Sequence, residues 1–256
     1  MLRVFYSDLR FLLNQLSLKI CIGIVMGYTL MFVVVLKIIT LFLNSGNFIY
    51  GEDVLSAYGD VAIFAITAAT LLIFSSDFAN GTIRNKLVNG IKRRHIFLSA
   101  VFNGMLAAAF MTVIVTLFET LLALVFTDGF MTYTLPELSN NFLMLIITSA
   151  SIGAFTTTLV MVFGGNRISY FIGFIIAFFL SLIGSEVATK LYPMNGKCTL
   201  QGAKLVLYTA YDRFMPYMHF EGYPRWDIYS YLLGSFVLTV LSITVGLVIF
   251  ERKEIK

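Results

Sequence analysis

The chain has 256 residues, of which 59% are hydrophobic and only 12% charged, whereas a soluble globular protein carries about a quarter charged. With a mean hydropathy of +0.88, its main solvent is lipid, and its length suits several spans of roughly 20 residues rather than an added soluble catalytic domain. The net charge of +4 is what basic cytoplasmic loops give a membrane protein, so it makes no case for nucleic acid.

Residues 1–19 place Leu2, Phe5, Leu9, Leu12, Leu13 and Leu16 at helical spacing, with Arg3, Arg10 and Asn14 on other faces. This pattern predicts an amphipathic elbow helix lying along the interface. Residues 20–43 are apolar except for Lys37 and form the first span. The run is too long for the apolar core of a signal peptide and no small-x-small site follows it, so it is expected to be retained.

Residues 44–60 carry Glu52, Asp53 and Asp60 with no Lys or Arg, and their glycines predict an outer loop. The second span is expected at 61–78, with its start open to extension toward Leu55. Residues 79–95 hold Arg84, Lys86, Lys92, Arg93 and Arg94, the most basic stretch of the chain, and must be cytoplasmic. The third span, 96–126, is interrupted only by Asn103 and Glu119. A short outer loop with Pro136 and Glu137 precedes the fourth span at 141–163, and the Gly164-Gly165-Asn166-Arg167 turn leads into the fifth at 168–188.

Residues 189–226 form a long outer segment in which Leu200, Ala203, Leu207 and Tyr211 share a face, predicting a short amphipathic helix. Tyr217, Tyr223, Trp226 and Tyr229 suit the headgroup belt. The sixth span is expected at 228–250. The reading is one all-α transmembrane domain over 1–256, six spans with both termini cytoplasmic. Charge supports that orientation: the outer Lys and Arg all fall in 189–226, beside Asp212, Glu221 and Asp227.

The chemical motifs are mostly negative. There is no GxxxxGK[ST] phosphate loop. His95 and His219 fall on opposite sides of the membrane, as do Cys21 and Cys198, so neither a shared metal site nor a disulfide is expected within one chain. No serine or cysteine has an evident histidine partner, so no enzymatic activity is expected.

The positive signal is in 79–95. Ile83, Leu87, Val88 and Ile91 form one apolar face of a short helix, with Arg84 and Lys86 off that face and Gly90 as its stop. Physics alone leaves two readings open, docking to anionic lipid or docking to a protein. The string Asp77-Phe78-Ala79-Asn80-Gly81-Thr82-Ile83-Arg84-Asn85-Lys86-Leu87, followed by Gly90 and Arg93, resembles the first cytoplasmic loop of bacterial type 2 ATP-binding-cassette (ABC) exporter permeases. The resemblance implies a coupling helix seated in a groove of a separate cytoplasmic ATPase. In that arrangement Ile83 and Leu87 insert and Arg84 and Lys86 contact the rim. It also implies a second permease copy or paralogue, ATP and Mg bound by the ATPase rather than by this chain, and short helices capping the outer side. The cargo it suggests is a hydrophobic or amphipathic peptide, antibiotic or lipid.

Lys37 and Glu119 lie six and seven residues before the ends of their spans, each roughly 10 Å below the outer boundary. A charge there pairs, faces a water-filled cavity or, for the longer Lys37, snorkels to the headgroups. As a pair they would serve an ion- or proton-coupled carrier, the alternative mechanistic class; a non-transporting sensor or assembly factor is a third. Ser149, Gly153 and Thr157 form a small-residue stripe suited to close helix packing.

Overall fold

Long proline-free apolar runs leave the backbone one low-cost arrangement in lipid, the helix, in which each N–H and C=O is paired within its own segment. The computed structural model follows this rule; it describes residues 12, 14–43, 49–131, 134–193, 198, 200–220 and 228–253. Among them no strand occurs. The helices are α1 (Leu16–Leu43), α2 (Gly51–Ala79), α3 (Thr82–Val88), α4 (Arg93–Phe126), α5 (Leu135–Phe163), α6 (Arg167–Leu191), α7 (Ala203–Phe214) and α8 (Ile228–Arg252), with a 3-10 turn at Pro216–Phe220 between α7 and α8. Six of these, all but α3 and α7, are long and apolar enough to cross a membrane.

Three boundaries differ from the sequence expectation. Residues 16–19 continue α1 rather than closing an elbow, and residues 1–11 and 13 of the expected elbow lie outside the described residues. Residues 51–60 are the first turns of α2, not loop. Glu52 and Asp53 sit in the first turn, where negative charge complements the helix N-terminus, and Asp53 Oδ2 accepts the Tyr50 N–H at 3.2 Å. The third is the start of α5, at Leu135 rather than 141. There Glu137 Oε2 accepts both the Thr134 N–H (2.7 Å) and the Thr134 hydroxyl (2.8 Å), with Pro136 in the first turn.

The helices divide into a centre and a periphery. In the most apolar stretch of each span, 67% of α5 and 56% of α2 is buried, against 22% of α1, α6 and α8. The peripheral helices present such residues as Leu41, Phe171 and Phe236 outward, as lipid-facing helices do. Close approach at the centre depends on glycine. A Cβ on Gly153 of α5 would stand 2.6 Å from the Gly104 carbonyl oxygen of α4, and one on Gly104 would meet the Thr157 hydroxyl at 2.0 Å. The Ser149–Gly153–Thr157 stripe therefore faces α4.

Candidate functional site

At one end of the bundle, Gly81 (φ +66°) starts α3 and Gly90 (φ +79°) ends it, allowing the Ile91 N–H to reach back to Lys86 O at 3.1 Å. The helix is thereby held to seven residues across the mouth of the bundle. Ile83 is 3% exposed and belongs to the chain's own hydrophobic core, and Leu87 and Ile91 pack against that core. Ile83 thus turns to the chain's own bundle, Leu87 and Ile91 stay partly exposed, and Val88, expected on the same apolar face, does not join it. Arg84, Asn85 and Val88 point outward, Val88 being 78% exposed, while Lys86 is half-buried.

Beside α3 the end of α8 is locked to the start of α4. Arg93 donates to the carbonyl oxygens of Glu251 (3.2 Å) and Lys253, and Arg94 pairs with the Glu251 carboxylate. Lys253 donates to Val162 O at 2.8 Å and lies 5.6 Å from the Phe78 ring centroid. Partial burial pulls its ammonium below the ordinary lysine value. The basic residues just after α3 thus serve two ends: Lys92 and Arg94 are exposed, while Arg93 ties the start of α4 to the last span.

Within the membrane, α4 buries Ser99 and Asn103 on one side and, on another, a polar seam of Thr112, Thr116 and Glu119. Tyr58 Oη and Thr112 Oγ1 are 2.8 Å apart, Thr112 donates to Ser149 Oγ (2.6 Å), and Thr70 and Thr156 share a bond of 2.7 Å. These bonds tie α2, α4 and α5 together where hydrocarbon offers no competing partner. Glu119 is 1% exposed and neither carboxylate oxygen makes a hydrogen bond of ordinary geometry; it faces the Tyr58 backbone and, electrostatically, Asp60. Lys37, half-buried on α1, is not brought onto it. No Glu119–Lys37 ion pair is seen among the described residues; α2 brings the Tyr58 backbone and the like-charged Asp60 toward that carboxyl.

Between α6 and α8, where short outer helices were expected, the structure has α7 and the Pro216–Phe220 turn; residues 221–227, including Tyr223 and Trp226, lie outside the described residues. Leu207 of α7 is exposed while Asp212 turns inward to accept the Tyr192 hydroxyl at 3.2 Å. The turn seats into the bundle: Phe220 O comes within 3.0 Å of where a Cβ of Gly59 would be, and Tyr217 meets Phe155 edge-on. His219 stacks on Tyr231 with ring centroids 3.8 Å apart, and neither ring nitrogen has a partner. Burial holds its imidazole down at about 4, so it is neutral.

Sequence reasoning missed the lock on α8 and the hydrogen-bonded part of the seam. The seam left a trace, since Thr112, Thr116 and Glu119 fall on one face at 3.6 residues per turn, with Ser99 and Asn103 on another. No group of three or more His, Cys, Asp or Glu is arranged to hold a metal among the described residues. The fold and these features define a multi-pass α-helical membrane protein. No family model, curated protein or solved structure matches the chain.

Proposed function

We propose that the chain is the membrane-spanning permease subunit of an ATP-driven ABC exporter, residing in the cell membrane with both termini cytoplasmic and working with a separate ATPase and a second permease copy or paralogue. The observation that carries this reading is α3, a seven-residue helix between two spans, seated on the bundle by Ile83 and presenting Arg84 and Val88 outward. Such an element transmits force: its inner face moves with the spans and its outer face is free to bind. Movement of a docked ATPase reaches α2 and α4 directly and α8 through Arg93 and Arg94. The differential affinity of the ATPase for ATP between the two states then biases which side the permease opens to. No residue of this chain breaks a bond.

The test is reconstitution with an ABC ATPase that co-purifies with the chain. Hydrophobic peptides, antibiotics and lipids are screened for stimulation of ATP hydrolysis, and ATP-dependent efflux of any hit is measured. ATP hydrolysis that no permease variant alters, with no efflux, overturns the proposal.

Glu119 favours a second reading, an ion- or proton-coupled carrier, because an unpaired carboxyl at that depth is costly to keep. Ion-gradient-driven transport that needs no ATPase and is lost in Glu119→Gln supports the carrier. ATP-dependent transport retained in Glu119→Gln removes it.

A further inference from the structure

Under α3 the bundle encloses a cavity of about 190 Å³. Its walls are mainly apolar, with Phe74 from α2, Ile83 from α3, Ile96 from α4 and Met161 from α5, and Asn103 reaches it from α4. Asn103 is 1% exposed; its amide nitrogen donates to Ser99 Oγ at 3.4 Å, while Oδ1 accepts nothing. A buried amide oxygen with no donor costs on the order of 1–3 kcal/mol relative to a satisfied one. An apolar pocket with one convergent polar atom is the usual design of a small-molecule site.

Size and polarity narrow the ligand. A dry apolar cavity of about 150 Å³ in another protein takes benzene, so this one suits a body between phenol and indole. Asn103 Oδ1 is an acceptor, so a ligand that meets it must bring a donor. One carboxylate and one ammonium, from Asp77 and Lys86, border the space and both are engaged within the protein. The wall therefore offers no net charge, and a neutral molecule loses least on leaving water for it.

We propose that this cavity binds a small, neutral, largely apolar molecule carrying one hydrogen-bond donor, which the Asn103 side-chain oxygen accepts. Binding does not depend on the chain being a permease. Its consequence does: because Ile83 forms part of the wall, an occupant lies between α3 and the bundle and biases how the coupling helix seats.

The test uses the whole protein in lipid vesicles, a diazirine-bearing hexanol and its methyl ether, with labelled positions mapped by mass spectrometry. The alcohol should label Phe74, Ile83 or Met161 saturably, and the ether, which accepts but cannot donate, about tenfold less. In Asn103→Leu the two probes should label those positions alike. The wild-type comparison decides the matter without the variant: equal labelling by alcohol and ether overturns the proposal. So does label confined to lipid-facing residues such as Leu121 and Phe171.

Discussion

His219 shows how one residue's surroundings set a property that the sequence hides. The Pro216–Phe220 turn packs it against Tyr231 with neither nitrogen bonded, and burial depresses its imidazole from 6.5 to about 4. The unfolded chain therefore binds more protons than the folded one between those values, so stability falls as pH drops through this window. The full difference is worth up to about 3 kcal/mol. Thermal unfolding followed from pH 7 to pH 4 should show a falling midpoint whose slope is reduced in His219→Leu; an identical pH profile in the variant would show that the turn is seated otherwise. The sequence placed His219 outside but carried no sign of its burial, because nothing local distinguishes a seated turn from an aromatic-anchored loop. Asn103 and Glu119 were legible, as polar letters in an apolar run. Their surroundings were not, since Glu119 faces the Tyr58 backbone and the like-charged Asp60 of α2 rather than Lys37 at its own depth.

At the scale of elements, hydropathy located every span, and local chemistry set where two of them begin. Thr134 and Glu137 have the three-residue spacing of a capping box, and the acidic pair at 52–53 marks the start of α2; both signals were present in segments that otherwise read as loop. Gly59 had suggested loop, yet it sits inside α2 where the outer turn crosses it. The small-residue stripe on α5 was readable, but its partner was fixed only by three-dimensional packing, at Gly104. Gly153→Leu should prise α4 from α5 and break the Thr112–Ser149 contact, with a sharp loss of folded yield in detergent. Gly27→Leu on α1, with nothing near its Cβ, should be neutral in the same assay. Equal yields would contradict the α4–α5 contact as the centre of the bundle.

For the whole molecule, the charge asymmetry predicts that single cysteines at Glu52 and Arg94 react with membrane-impermeant reagents from opposite sides, Glu52 from outside. Same-side labelling would refute the six-span arrangement. Composition and the spacing of apolar runs made the membrane class and the number of spans legible. The division into a buried centre and a lipid-facing periphery left only a faint trace, in that the two most buried spans, α2 and α5, are also the least apolar of the six; lipid does not sort inner from outer faces as water does. An apolar stripe on α3 likewise looks alike in sequence whether it meets a partner or its own bundle, and here Ile83 goes inward.

That geometry sharpens the central claim, that α3 docks an ATPase, because it separates the surface that binds from the surface that folds. The direct test is the affinity of the purified permease for the ABC ATPase in Val88→Asp and Arg84→Glu, with thermal unfolding of the permease measured alongside. Loss of one interface anchor typically costs on the order of 2 kcal/mol, roughly thirtyfold in affinity. Both variants should lose at least that much while unfolding at the wild-type temperature, whereas Ile83→Ala should destabilise the permease itself by about 2–5 kcal/mol. Wild-type affinity and full ATP-driven transport in Val88→Asp and Arg84→Glu would contradict the account.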